Sequence, residues 1–106
     1  MAADIQIVSS VEETLRILSS ETFDIVVFET AADSDNHLKS LQKIKMLFPQ
    51  TPVLMLSLDN TRAFARQAMK LNAHGFLTSD TVGAELTDAL KSIQKGRCYM
   101  TTSLTA

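Results

Sequence analysis

Four short apolar segments recur along the chain, and each is followed by apolar residues at helical spacing. The first comprises Ile5, Ile7 and Val8 and ends at Ser9-Ser10. Behind it Val11, Leu15 and Leu18 fall at i, i+4 and i+7, one face of a helix. The second, Ile25-Val26-Val27-Phe28, is continuous and β-branched rather than alternating, the pattern of a strand buried on both faces of a parallel sheet. After a polar loop from Thr30 to Asn36, Leu38, Leu41, Ile44 and Phe48 form a second stripe, closed by Pro49 and Pro52. The third run, Val53-Leu54-Met55-Leu56, ends at Ser57. The helix after it has Asn60 or Thr61 as its candidate cap and carries Phe64, Ala68 and Leu71. Asn72 and Gly75 bracket a break, and Phe76-Leu77 is the fourth strand. Val82, Leu86, Ala89, Leu90 and Ile93 share a face of the last helix, with Thr81 as candidate N-cap and Gly96 at its C-terminal end. Strand–helix repeated four times predicts right-handed crossovers on a parallel sheet.

Composition narrows the class. With 106 residues, 45 % hydrophobic and 21 % charged, the chain fits one domain, residues 1–106, around one core. The net charge is −2 with basic residues scattered among acidic ones, so the basic stripe of a phosphate-backbone binder is absent and no direct nucleic-acid contact is expected. Cys98 is the single cysteine, which excludes an intramolecular disulfide and suits a reducing compartment. The apolar runs fall far short of the roughly 20 residues needed to span a bilayer. Met1-Ala2-Ala3-Asp4 lacks a signal peptide's basic region and apolar core. The expectation is a cytoplasmic domain without membrane contact. No dinucleotide fingerprint, P-loop or nucleophile elbow occurs, so neither an enzyme nor a bound cofactor is expected.

Three segments, in this order, carry a family resemblance. Phe23-Asp24-Ile25-Val26-Val27-Phe28-Glu29 is similar to the strand of a response-regulator receiver whose terminal Asp accepts a phosphoryl group. Phe48-Pro49-Gln50-Thr51-Pro52-Val53-Leu54-Met55-Leu56-Ser57 is similar to the strand ending in the switch Ser/Thr. Asn72-Ala73-His74-Gly75-Phe76-Leu77-Thr78-Ser79-Asp80 is similar to the strand bearing the switch aromatic and a charge-neutralising Lys. The chain thus resembles a CheY-like receiver domain of two-component signal transduction, of the kind found before a LuxR-type helix-turn-helix. Gly96-Arg97-Cys98-Tyr99-Met100 resembles the family's lead into its linker, so about 97–106 is expected to be a linker-like tail. A DNA-binding domain C-terminal to it follows from the same resemblance.

The resemblance assigns site positions, and most are altered. Mg²⁺ prefers carboxylate and water oxygens, which the family supplies as an acidic pair plus the acceptor Asp. Ser9 and Ser10 stand at the acidic pair, Glu29 at the acceptor and Ser79 at the Lys, while Ser57 and Phe76 match the switch pair. Glu29 is one methylene longer than Asp, which displaces its oxygen from in-line geometry. The expected function is therefore a phosphorylation-independent pseudo-receiver acting in dimerisation or protein–protein interaction for transcription regulation. The alternatives are a phosphoacceptor using Glu29 or a nearby Asp, and a stand-alone adaptor for a kinase or another regulator.

Counting units adds an architectural expectation. The family has five βα units and this chain has room for four, which gives a truncated flavodoxin-like, CheY-like three-layer α/β fold: four βα units around a parallel sheet. Three helices then cover one face and the last helix the other, leaving sheet surface at Ile5 and Ile7 bare. A second copy is the simplest cover, so a homodimer is expected. Arg62, Arg66 and Lys70 recur along one face of the third helix and form a candidate interface, with a solvated face as the plain alternative. His37 with Asp33 and Asp35 reads as helix capping rather than a metal site, and His74 as a solvent-exposed turn residue. Cys98 beside Arg97 reads as inert, and Met55, Met69 and Met100 as core or interface filler.

Overall fold

A computed structural model describes residues 4–29, 34–57 and 62–100, with Val11 and residues 34–37 described by backbone alone. Strands β1 (Ile5–Val8), β2 (Ile25–Glu29), β3 (Val53–Ser57), β4 (Gly75–Thr78) and β5 (Tyr99–Met100) alternate with helices α1 (Val11–Ser20), α2 (Ser34–Leu47), α3 (Arg62–Lys70) and α4 (Val82–Gln94). All neighbouring strands pair in parallel, in the order β1-β2-β3-β4-β5. The expectation of a sheet limited to four βα units is corrected by β5, which adds a fifth strand beside β4. Tyr99 and Met100, expected in a linker-like tail, form that strand. Two residues carry no periodicity, so nothing in their pattern distinguishes a strand from a tail.

Strand alternation sorts the core into two layers. Val8, Val26, Phe28, Val53, Met55 and Phe76 face α1, α2 and α3, where Leu18, Leu41, Ile44, Phe64 and Ala68 meet them. Ile25, Val27, Leu54 and Leu77 face the opposite way, against Ala89 and Ile93 of α4. The sheet is thus covered by three helices on one side and one on the other, the three-layer arrangement the pattern predicted. Since α4 crosses the opposite face while the chain still steps in the same direction, the β4–α4–β5 connection has the opposite hand to the first three. Such a crossover is rare in parallel sheets, and here it ends in a two-residue strand.

The helices end where local chemistry dictates. Ser10 caps α1, its Oγ accepting from Glu13 N at 3.1 Å, while Glu13 Oε1 reaches back to Ser9 N at 3.2 Å. This is a close variant of the capping box, in which two otherwise orphaned N–H groups are satisfied reciprocally. Asn72 at φ 70° and Gly96 at φ 82° each turn the chain into the left-handed region after α3 and α4. At both ends the next residue donates back across the turn, Ala73 N to Ala68 O at 3.1 Å and Arg97 N to Ser92 O at 2.9 Å. Both are Schellman closures. The expected side-chain cap at Thr81 does not form: its hydroxyl donates to Thr78 O at 3.0 Å instead. The candidate caps Asn60 and Thr61, and the side chains of Asp33, Asp35 and His37, lie outside the described residues.

Ile5 and Ile7 alternate away from the three-helix side, and α4 does not reach over them. They are 38 % and 57 % exposed. Val8, on the other face of the same strand, is buried. β1 is also an edge strand, so the apolar patch adjoins an open sheet margin.

Candidate functional site

Because every strand runs in the same direction, all strand C-termini gather at one end of the sheet, where α/β folds place their sites. In register there, Val8 pairs with Phe28, Glu29 with Leu56 and Ser57 with Thr78. Ser9 and Ser10 follow β1 directly, Glu29 ends β2, Ser57 ends β3, and Ser79 follows β4. The fold therefore brings Ser9, Ser10, Glu29, Ser57 and Ser79 to a common edge. Glu29 and Ser79 are exposed, whereas Ser57 is only 1 % exposed.

Hydrogen bonds tie much of this edge together. Ser79 closes on the neighbouring strand twice, through N at 2.8 Å and Oγ at 3.1 Å, both to Ser57 O. A lysine at position 79 would project a long cation from this turn; the serine folds back on the backbone instead. Thr78 and Thr81 pair through their hydroxyls at 3.0 Å at the same turn, with Thr78 buried and Thr81 half-buried. Thr14 is fully buried one turn into α1, its hydroxyl donating to Ser10 O at 2.8 Å. Neither Thr78 nor Thr14 was singled out from sequence. A polar residue inside an apolar stripe gives its burial away only if the missing stripe position is noticed.

The described residues of this edge offer few of the carboxylates that a resident Mg²⁺ would need. Such an ion is held through carboxylates that leave it well-ordered waters. Among the described residues of this edge, Glu29 supplies one carboxylate, Glu13 spends an oxygen on Ser9 N, and Ser10 Oγ serves as the α1 cap. No group of three or more His, Cys, Asp or Glu side chains that could hold a metal occurs among the described residues.

The switch-like aromatic is folded inward. Phe76 is fully buried and meets Phe64 of α3 edge-on, with centroids 5.6 Å apart and rings at 75°. That T-shaped pair links β4 to the helix that carries Arg62, Arg66 and Lys70. All three basic residues are exposed on α3.

At the opposite end of the sheet lies a feature the sequence did not announce. Lys45, in the last turn of α2, is only 8 % exposed and donates to Pro49 O at 3.1 Å and Thr51 O at 2.7 Å. Beside it His74, expected to be solvent-exposed, is half-buried, and its Nδ1 has no hydrogen-bond partner among the described residues. Burial holds both groups below their usual pKa ranges, and the Lys45 charge adds to the effect on His74. The lone Cys98 is exposed. No helix among the described residues is long and apolar enough to cross a membrane.

Comparison with known proteins agrees with this geometry. The response regulator receiver domain family matches residues 1–91. The response regulator protein PilR of Pseudomonas aeruginosa is 32 % identical over 78 residues, 74 % of this chain but 18 % of PilR, so the chain spans under a fifth of that relative. A LuxR-family two-component response regulator from Aurantimonas sp. superposes with a TM-score of 0.88 at 21 % identity, covering 99 % of this chain and 94 % of that one. The isolated receiver domain of RcsB from Salmonella enterica serovar Typhimurium gives 0.84 at 14 % identity, covering 98 % and 96 %. With the parallel sheet, the strand-end site and the family match over most of its length, the chain belongs to the response regulator receiver family of two-component signalling.

Proposed function

We propose that this receiver works without phosphoryl transfer, as an interaction module for transcription regulation in the cytoplasm, and not as an enzyme. The observation that carries the reading is the strand-end edge, where Ser9, Ser10 and Ser79 replace charges the family's chemistry uses and Glu29 stands at the acceptor position. Phosphoryl transfer is largely positioning plus charge stabilisation, and this edge offers little of either. Incubation with acetyl phosphate and Mg²⁺ followed by intact-mass measurement tests it. The expected spectrum is that of the unmodified chain; a stoichiometric phosphoryl adduct would establish the competing reading, a phosphoacceptor using Glu29 or a nearby Asp.

The interaction we infer is with a second copy. Ile5 and Ile7 form an exposed apolar patch on an edge strand, and parallel sheets are ordinarily covered on both faces. A homodimer that buries this patch supplies a cover that the described helices do not. A DNA-binding domain beyond residue 106 is the natural output in this reading, consistent with the likeness to a LuxR-family regulator. A kinase or another regulator docking on Arg62, Arg66 and Lys70 is the second reading, favoured by their shared exposure on α3. Pull-downs with Arg62 and Arg66 replaced by alanine separate the two: homodimerisation survives the change and adaptor binding does not.

A further inference from the structure

The turns that lead into β3, β4 and β5 line a half-open cavity of about 310 Å³, remote from the strand-end edge. Its walls include Lys45, Pro49, Met69, Asn72, His74 and Cys98. We propose that this cavity binds a small oxyanion, a carboxylate or a phosphate, between Lys45 Nζ and His74 Nδ1. Volumes near 300 Å³ mark the lower end of small-molecule sites.

Three observations converge. First, a lysine is almost never buried without a reason, and Lys45 is 8 % exposed. Its ammonium carries three N–H donors, and the carbonyls of Pro49 and Thr51 take two, which leaves one for a ligand. Second, His74 Nδ1 is a buried polar atom without a partner among the described residues. Such orphans call for a water, an ion or a ligand. Third, the backbone of His74 is held in place beside the cavity. His74 N donates to Val53 O at 2.8 Å and His74 O accepts from Tyr99 N at 3.0 Å, which fixes its backbone between β3 and β5.

Charge selects the class of ligand. Met69, His74 and Cys98 are soft donors, which taken alone would suit a thiophilic metal ion. The Lys45 ammonium in the same cavity opposes any cation and attracts an anion. A neutral His74 in its Nδ1–H tautomer then donates one hydrogen bond to a ligand oxygen, and Lys45 donates a second, charge-assisted one.

The test is a titration of the uniformly ¹⁵N-labelled 106-residue chain with sodium phosphate and, separately, with sodium acetate, each against sodium chloride at matched ionic strength. The expected result is saturable shifts at the amides of Lys45, His74 and Cys98 with at least one of the two oxyanions. Saturation with phosphate alone identifies a phosphate ligand, and saturation with acetate a carboxylate. Lys45→Met and His74→Leu should each weaken binding roughly tenfold, the loss of one strong hydrogen bond. Should Lys45→Met fail to fold, His74→Leu carries the same expectation by itself. Shifts that grow without saturating, that chloride reproduces, or that persist unchanged in the folded variants would overturn the proposal.

Discussion

Gly75 begins β4 where Ile93 of α4 packs against the sheet. A Cβ there would stand 2.6 Å from Leu54 Cδ1 and 3.0 Å from Ile93 Cδ1, inside contact distance of two core side chains. Gly75→Ala should therefore destabilise the fold by about 1–3 kcal/mol, the usual cost of overpacking, measured as a lowered urea midpoint. Ser10 shows the opposite kind of dependence, since its side-chain oxygen accepts a hydrogen bond from the backbone of the helix it caps. Ser10→Ala removes the α1 cap and should cost about 1 kcal/mol in the same assay. Tyr99 adds a pH dependence. Its hydroxyl donates to Glu85 Oε1 at 2.7 Å, and that bond, with burial and nearby carboxylates, pushes its pKa up to about 12. The folded state thus keeps a proton that the unfolded chain gives up near pH 10. The contribution is complete below pH 10 and is lost as pH rises toward 12. Urea midpoints should fall over that interval in the native chain and fall less in Tyr99→Phe.

Among the elements, β1 departs most from the rest. β2 and β3 are covered on both faces, and their continuous apolar runs announce it in the sequence. β1 reads Ile-Gln-Ile-Val, and the structure shows why the alternation matters: Val8 joins the core while Ile5 and Ile7 stay exposed. A lysine in place of Ile7 should leave the urea midpoint nearly unchanged, because the site is more than half open. If a second copy covers the patch, the same change should weaken self-association by more than tenfold, from the lost burial of about 1.5–3 kcal/mol per isoleucine. The positions of the helices and of four strands are legible because each helix carries an apolar stripe and each of those strands an apolar run of its own. β5 is not, since Tyr99 and Met100 become a strand only through pairing with Gly75 and Phe76. The cavity is not legible either. Lys45 follows Ile44 in a helix and looks solvated, and nothing local shows that the turns at Pro49, His74 and Cys98 converge on it.

Across the whole molecule the parallel sheet separates two ends with different chemistry. One end gathers the strand-end serines and Glu29, and the other holds Lys45 and His74. The positions at the first end were readable from the family resemblance, but their burial and bonding were not: Ser79 folding onto Ser57 O depends on two strands meeting in register. The sides of the sheet differ as well, three helices against one, and the thinner side leaves β1 uncovered. A receiver built this way is expected to assemble through β1 regardless of phosphodonor. Sedimentation velocity across a range of protein concentrations, with and without acetyl phosphate and Mg²⁺, tests both halves of that statement together. The account predicts a concentration-dependent monomer–dimer equilibrium identical in the two conditions; a monomer at every concentration, or a dimer that forms only with the phosphodonor, would contradict it.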